Sequence, residues 1–428
     1  MDTIYALATA RGRAGVAIIR VSGPLAWEAA GALAGGGLKP REPSLRKLRD
    51  ASGELLDTGL VLLFEEGKSF TGDRVAELMI HGSPAAVAAV EAELGRMDGV
   101  RHAEAGEFTR RALEAGRLDL VQVEALADLI DSDTEYQRKQ AVRLLDGAAG
   151  KTIGQWRKKL VRTLALVEAG IDFSEEELGD FNDEITQTLA QVLDEINAEL
   201  KGLRVRERLR SGFEVAIVGP VNAGKSTLLN AIAGREAAIT SHIAGTTRDV
   251  IEVQMDLEGY PVTLLDTAGV RESDDEIERI GVERAVRRAE EADIRVILLE
   301  SPGAHPVMSP RKGDIVLTGK ADLFGLVDGA VSGITGFGIG SLLERLQVTL
   351  AALMIPDGFA VRARHEAALR AAKTHLESAL ASIVQEETLM ELVASDVSGG
   401  LRSLDFLIGK VDVEDLLGDI FASFCIGK

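Results

Sequence analysis

The sequence predicts a multidomain protein of mixed α/β and α class, in which an α+β domain is followed by a helical domain interrupted by an inserted α/β domain. Three observations carry this reading. A glycine-cornered loop, Gly219-Pro220-Val221-Asn222-Ala223-Gly224-Lys225-Ser226, has a strand-like run before it and a helix-like run after it. Helical periodicity fills the residues before about 210 and returns after Pro356-Asp357-Gly358. The 428 residues are enough for about three domains of ~150 residues each, all able to bury a core. The expected boundaries are 1–118, 119–210, 211–356 and 357–428, the second and fourth segments forming one helical domain. An insertion needs its two ends close together, as those of nucleotide-binding α/β domains usually are.

The composition, 46% hydrophobic and 27% charged, is that of an ordinary globular chain. A net charge of −20 excludes a surface coated in positive charge for general nucleic-acid binding, and leaves room only for a local basic patch. No apolar run approaches the ~18 residues needed to span a bilayer, so no membrane association is expected. The first residues lack a basic stretch followed by an apolar one, so no signal peptide is expected. A single cysteine, Cys425, precludes an internal disulfide and fits a reducing compartment. The expected location is the cytoplasm.

In the first segment, residues 16–21, 60–64 and 75–80 read as strands. Pro84 to Leu94 reads as a helix, with proline in its first turn and alanines throughout. From about 119 the pattern is helical: Leu118, Leu120, Val121, Val123, Leu126, Leu129 and Ile130 share one face, and no proline falls between 85 and 219. The most basic window, with Lys201, Arg204, Arg206, Arg208 and Arg210 against Glu207, reads as a solvated helix end in preference to a phosphate-contacting patch.

The inserted domain carries the chemistry. Phe213 to Val218 is an apolar run suited to a buried strand, and Thr227 to Ala233 is apolar at helical spacing. A strand, a glycine turn and a helix start aim several N–H groups and the positive helix end at one anion. Lys225 then reaches the β/γ-phosphates and the Ser226 hydroxyl ligates Mg²⁺. Gly245-Thr246-Thr247-Arg248-Asp249 precedes a strand and puts Thr247 where it can complete the Mg²⁺ shell. Asp266-Thr267-Ala268-Gly269 ends the strand from Val262, bringing a carboxylate to Mg²⁺ and a glycine N–H to the γ-phosphate. Gly319-Lys320-Ala321-Asp322 follows the strand from Asp314. Asp322 can accept both the N1–H and the 2-amino donors of guanine, a pair adenine does not offer. Ser332-Gly333 is expected to give the last base contact through backbone N–H. In this order the four constellations specify a Ras-like P-loop G domain that binds GTP and GDP.

Two departures from the usual GTPase pattern stand out. Gly319 replaces the usual asparagine, so weaker nucleotide affinity with unchanged base choice is expected. Val270 follows the Asp-Thr-Ala-Gly run, where Ras-type enzymes place a glutamine that orients the attacking water. Valine cannot bond a water, and Glu278, in the acidic stretch 272–278, is a candidate replacement. Residues 301–312, between two strands and holding Pro302 and Pro306, are too short for an ordinary connecting helix.

With these residues in view, the chain resembles the MnmE (TrmE) family of tRNA-modification GTPases from end to end. The resemblance rests on Asp2-Thr3-Ile4 with Gly12-Arg13, Ser69-Phe70-Thr71-Gly72, His81-Gly82, the run Gly106 to Ala112, Leu118-Asp119-Leu120, and the terminal Phe424-Cys425-Ile426-Gly427-Lys428. It implies that residues 1–118 form a folate-binding and dimerisation domain and that the protein is a homodimer. It also implies a flavoprotein partner of the MnmG/GidA type, which alone carries FAD. Together the two would install a carboxymethylaminomethyl group at C5 of the wobble uridine of certain tRNAs. The one-carbon donor would be a tetrahydrofolate derivative, 5,10-methylene- or 5-formyl-tetrahydrofolate, contacted by Arg20, Glu77, Arg117 and Lys428. The family usually has lysine where Arg117 stands, which keeps the charge and changes the geometry. Asn222 would ligate K⁺ with Ser241, Ile243 and Thr246, in the place of an arginine finger, and Glu278 would orient the water indirectly. Cys425 would lie near the folate. Two other readings stay open: an RNA-binding or ribosome-assembly GTPase without modification activity, and a folate-dependent enzyme that its G domain only regulates.

Overall fold

The computed structural model describes residues 2–172, 182–235, 252–266, 287–324, 328–354, 358–383 and 390–411, and residues 417, 418, 420, 421, 424, 426 and 427. The chain forms two compact units, residues 1–127 with 405–428, and residues 128–404.

The first unit is built on a six-stranded sheet ordered β3-β4-β5-β2-β1-β6. Its strands are β1 (Thr3–Leu7), β2 (Ala14–Ser22), β3 (Ser44–Arg49), β4 (Leu55–Phe64), β5 (Val75–Gly82) and β6 (Val100–His102). Alternation decides what each face does. Ile19, Val21, Val61, Leu63, Leu78 and Ile80 point to one side and pack with residues of helices Ala26–Ala34 and Pro84–Leu94. Ile4 and Ala6 point to the other side and pack with Phe108 of helix Glu107–Glu114 and with Phe70. The chain's last residues belong here: Phe421 and Phe424 pack with Val123 of helix Leu120–Ile130. Gly106, at φ 66°, makes room for them, because a Cβ there would lie 2.7 Å from the Phe421 ring.

An ion network, buried at Arg111 and Glu107 and open to solvent at Asp2 and Arg101, fastens the start of the chain. Arg111 bonds Asp2, Asp73 and Glu107, and Arg101 reaches Asp2 and Glu107. Burial pushes the Glu107 carboxyl up, but Arg101, the Glu104 N–H and Arg111 outweigh it and hold the group below its ordinary range. Hydrogen bonding to Arg101 does the same for Asp2, against a smaller opposing push from burial.

In the second unit, helices Glu135–Leu145, Ala148–Asp172, Asn182–Ser211 and Ala363–Ile383 surround a second sheet domain in the sequence. Trp156 is fully buried, donates to Glu195 and leans on Phe359. The second sheet is ordered β11-β10-β7-β9-β8. Its strands are β7 (Phe213–Val218), β8 (Glu252–Leu257), β9 (Tyr260–Asp266), β10 (Ile294–Leu299) and β11 (Ile315–Thr318). β7, β9, β10 and β11 are parallel, and β8 is an antiparallel edge. This is the Ras-like arrangement, and the parallel strands read as apolar runs because helices cover both faces. A sixth strand is reduced to one bridge, Thr318 to Ala330. Residues 301–312 hold no helix, as their length and prolines predict.

The basic window corrects one expectation. Arg206 is 3% exposed, not solvated. Its guanidinium bonds the Glu199 carboxylate at 2.9 Å and the Ala360 carbonyl at 3.0 Å. Glu199 in turn accepts from Phe359 N–H, so the pair pins the returning chain to the helix that entered the inserted domain. Arg208 and Arg204 pair with Asp293, and Arg210 with Asp128.

Asp2 and Glu107 have lowered folded-state values, so their contribution to stability is present above their ordinary range. It is lost as pH falls through the folded values, below about pH 4. Arg111→Met should lower stability by ~3 kcal/mol at pH 7 and flatten the acid limb, read from urea midpoints between pH 7 and 3. An unchanged midpoint at pH 7 would remove the network from the account of stability.

Candidate nucleotide site

The phosphate loop turns where sterics allow it. A Cβ on Gly219 would lie 2.8 Å from the Leu298 carbonyl of neighbouring β10, so only glycine lets β7 end there. Asn222 at φ 64° and Gly224 at φ 93° curl the loop into the start of helix Lys225–Arg235. The helix is then oriented with its unpaired N–H groups at the loop mouth.

Lys225 is buried at 6% exposure, and its ammonium donates to the Gly219 and Pro220 carbonyls at 3.0 and 2.9 Å. Burial pushes its pKa down, while Asp266 pulls in the opposite direction. The loop thus holds one cation against its own carbonyls, ready to meet phosphate oxygens.

Ser226 Oγ donates to Asp266 Oδ2 at 2.6 Å. The other carboxylate oxygen, Oδ1, is buried and has no hydrogen-bond partner among the described residues. Leaving such an oxygen unpaired costs about 1–3 kcal/mol, and a carboxylate beside a hydroxyl is the oxygen set Mg²⁺ prefers. The residues present fit that ion.

On the far side of Gly224 lies a cavity of about 170 Å³ whose walls include Thr227, Leu298, Lys320, Asp322, Ser332 and Gly333. Ser332 Oγ donates to Asp322 Oδ1 at 2.5 Å and accepts from Ile334 and Thr335 N–H at 3.2 Å. The carboxylate is therefore oriented before a base arrives. Ser332 N–H already donates to Phe337 O, which leaves Gly333 N–H as the amide for a base contact. Gly333 itself packs on the helix start: a Cβ would lie 2.6 Å from Leu228 N.

Gly319 has a steric reason that the sequence did not reveal. A Cβ there would run into the Ala223 carbonyl oxygen of the phosphate loop, well inside contact distance. Where other G domains tie these loops with an asparagine side chain, here backbone packs directly on backbone.

In the first unit, Arg20 and Glu77 face each other across the β2–β5 ladder and pair at 3.0 Å. Arg20 lies over Phe70 and Phe108, at 5.6 and 5.8 Å from the ring centroids. Those rings were not singled out in the sequence, although both fall inside runs that carry the family resemblance. Arg117 is exposed and lies beside the Gly72 turn. Asn222, Ala223, Gly224, Lys225, Ser226, Thr227, Asp266, Lys320, Asp322, Ser332 and Gly333 all belong to the loop and cavity just described. Ser241, Ile243, Thr246, Thr247, Thr267, Ala268, Gly269, Glu278, Cys425 and Lys428 lie outside the described residues.

Restoring asparagine at position 319 should weaken nucleotide binding, not improve it. Gly319→Asn is expected to lower GDP affinity about tenfold by driving the two loops apart, and Ser332→Ala by a similar factor through a freed Asp322. Fluorescent-GDP titration measures both, and tighter binding by Gly319→Asn would refute the steric account.

Residues 3–117 match the family described as GTP-binding protein TrmE N-terminus, and residues 120–425 match the MnmE helical domain. The chain is 53% identical over 429 residues to the tRNA modification GTPase MnmE of Cereibacter sphaeroides and 51% identical to that of Ruegeria pomeroyi, covering 100% of both chains in each case. Among solved structures it is similar to Era from Aquifex aeolicus, with 25% identity and a TM-score of 0.27 over 40% of this chain and 68% of that one. With the loop, the magnesium pair, the base cavity and these full-length likenesses together, the chain belongs to the MnmE (TrmE) family of tRNA modification GTPases.

Proposed function

We propose that the protein is a K⁺-stimulated GTP hydrolase that, with a flavoprotein partner of the MnmG/GidA type, installs a carboxymethylaminomethyl group on the wobble uridine of certain tRNAs. The observation that carries the hydrolase reading is the convergence of Lys225, the Ser226–Asp266 pair and the Ser332-oriented Asp322 around one loop. Lys225 binds the β/γ-phosphates. Ser226 and Asp266, with Thr247, hold Mg²⁺, which supplies charge neutralisation on the phosphates. Asp322 selects guanine by accepting from two adjacent N–H donors.

Val270 can neither orient nor deprotonate water, so that task falls to Glu278, acting as a carboxylate acceptor. Asn222 is exposed at the loop turn and offers an amide oxygen to K⁺, with Ser241, Ile243 and Thr246 as the further ligands. K⁺ supplies the positive charge that other GTPases take from an arginine.

In the first unit, the Arg20–Glu77 pair with Phe70 supports a folate site: a carboxylate to accept pterin N–H groups, a guanidinium for an anionic group, and a half-buried ring to stack. Arg117 and Lys428 would complete it. No helix among the described residues is long and apolar enough to cross a membrane. The proposal places the protein in the cytoplasm as a homodimer, divided at 1–118, 119–210, 211–356 and 357–428.

The test is GTP turnover by the full chain in KCl against NaCl at equal ionic strength. Turnover about tenfold or more higher in K⁺, with Glu278→Ala lowering kcat at least ~100-fold and leaving GDP affinity unchanged, is the expected result. Equal rates in the two salts would withdraw Asn222 as an ion ligand.

A further inference from the structure

The β8–β9 hairpin starts just after the Gly245–Asp249 run and ends on Asp266, so in sequence it joins the two segments to which the proposed function gives the nucleotide's metal. Its far end is a tight turn, with Glu258 at φ 50° and Gly259 at φ 92°. That turn does not end in solvent. Tyr136, in the first turn of helix Glu135–Leu145, stacks on Tyr260 with ring centroids 4.4 Å apart and planes at 26°. Tyr136 N–H also donates to Gly259 O at 3.2 Å. Glycine suits position 259 because φ 92° lies where L side chains are rare, and a Cβ would also sit tightly, 3.1 Å from the Tyr136 ring.

The helix that carries Tyr136 is itself held at its base. A capping box of Thr134 and Gln137 fixes its first turn. Gln137 and Gln140 side-chain amides donate to the Arg210 and Arg206 carbonyls, in the last turns of the helix that runs into β7. One short helix thus bridges the hairpin tip and the entrance of the nucleotide domain. All seven residues of β9 are buried, so the strand is a packed rod of about 20 Å from Tyr260 to Asp266. A shift of Asp266 relative to Ser226 cannot be absorbed by slack along such a strand.

We propose that Tyr136, by its stack on Tyr260, is the positioning residue through which β9 passes the nucleotide state at Asp266 to the helical domain. The inference rests on the reading of this site as a GTPase centre. The hairpin is the element that both ends bias: the nucleotide and its metal at Asp266, and helix 135–145 at the turn.

Hydrogen exchange on the full chain, in KCl with and without GDP and aluminium fluoride, reads the two ends separately. In the wild type the nucleotide should slow exchange in residues 219–226 and change it in residues 135–145. Tyr136→Ala should keep the first response and lower the second at least ~3-fold, while GTP turnover stays within about twofold of wild type. Tyr136→Phe keeps the ring and should keep both responses, which a contact needed only for its hydroxyl would not do. Should the alanine variant fail to fold, Tyr136→Leu, apolar but unable to stack, takes its place with the same expected split. A wild-type response at 135–145 that survives loss of the ring, or a wild type with none there, overturns the proposal. A wild type with no response at 219–226 overturns the nucleotide reading beneath it.

Discussion

The hydrogen bond from the Ser226 hydroxyl to the Asp266 carboxylate is the contact on which the nucleotide domain's geometry turns. It ties the first turn of a helix to the last residue of a strand 40 positions away. Its two ends are set by different parts of the sheet: Ser226 by the glycine turn at the end of β7, Asp266 by the parallel register that places it opposite Ile217. Burial leaves Asp266 Oδ1 without a donor among the described residues, a cost that a bound Mg²⁺ would relieve. Binding energy and metal selectivity are therefore built into the same pair that holds loop to strand.

Around that pair, close backbone approach sets three contacts. Gly219 lets β7 end against Leu298, Gly319 lets the base loop rest on Ala223, and Gly333 lets the following turn rest on the helix start. Each removes a side chain and shortens a distance. At Gly319 the departure goes with direct packing of the base loop's backbone on the phosphate loop. A polar anchor for the base survives in the Ser332–Asp322 bond, which is buried at Ser332 and so holds its orientation without competition from water.

The phosphate loop and the strands that flank it along the chain were legible in the sequence because local rules fix them: apolar runs of strand length, a glycine corner, a helix start. The helix Pro84–Leu94 is found where its proline and alanines predict it. Less legible was anything decided by residues far apart in the chain. Strands β1, β3 and β6 are short or polar on one face, and become strands only because β2, β4 and β1 respectively pair with them. Residues 405–428 continue a helical pattern, yet Phe421 and Phe424 pack beside Gly106 and Val123, a pairing no local periodicity encodes. Phe70 and Phe108 around Arg20 escaped notice for the same reason, since a ring is known as a stacking partner only once the fold brings it to a cation. The pairing of Tyr136 with Tyr260 is of that kind too, two residues 124 positions apart and each unremarkable in its own segment.

The basic window shows how charge counts mislead when geometry is unknown. Five cations within ten residues read as a solvated helix end in preference to a phosphate-contacting patch, in a chain with net charge −20. Four of them are committed to carboxylates within the same unit: Arg204 and Arg208 to Asp293, Arg206 to Glu199, Arg210 to Asp128. Asp293 is the focus of the cluster. Burial raises its carboxyl's pKa, opposed by the Glu214 N–H and the neighbouring arginines. Removing any one of those arginines would leave that carboxylate with less compensation for its burial, so the cluster is kept by desolvation cost as much as by attraction. Only Lys201 is left exposed with no bond or ion pair among the described residues. Lys201 and Arg204 thus stay on the surface, as a solvated helix end would, while Arg206 and Arg208 seat the nucleotide domain on the helix that leads into it.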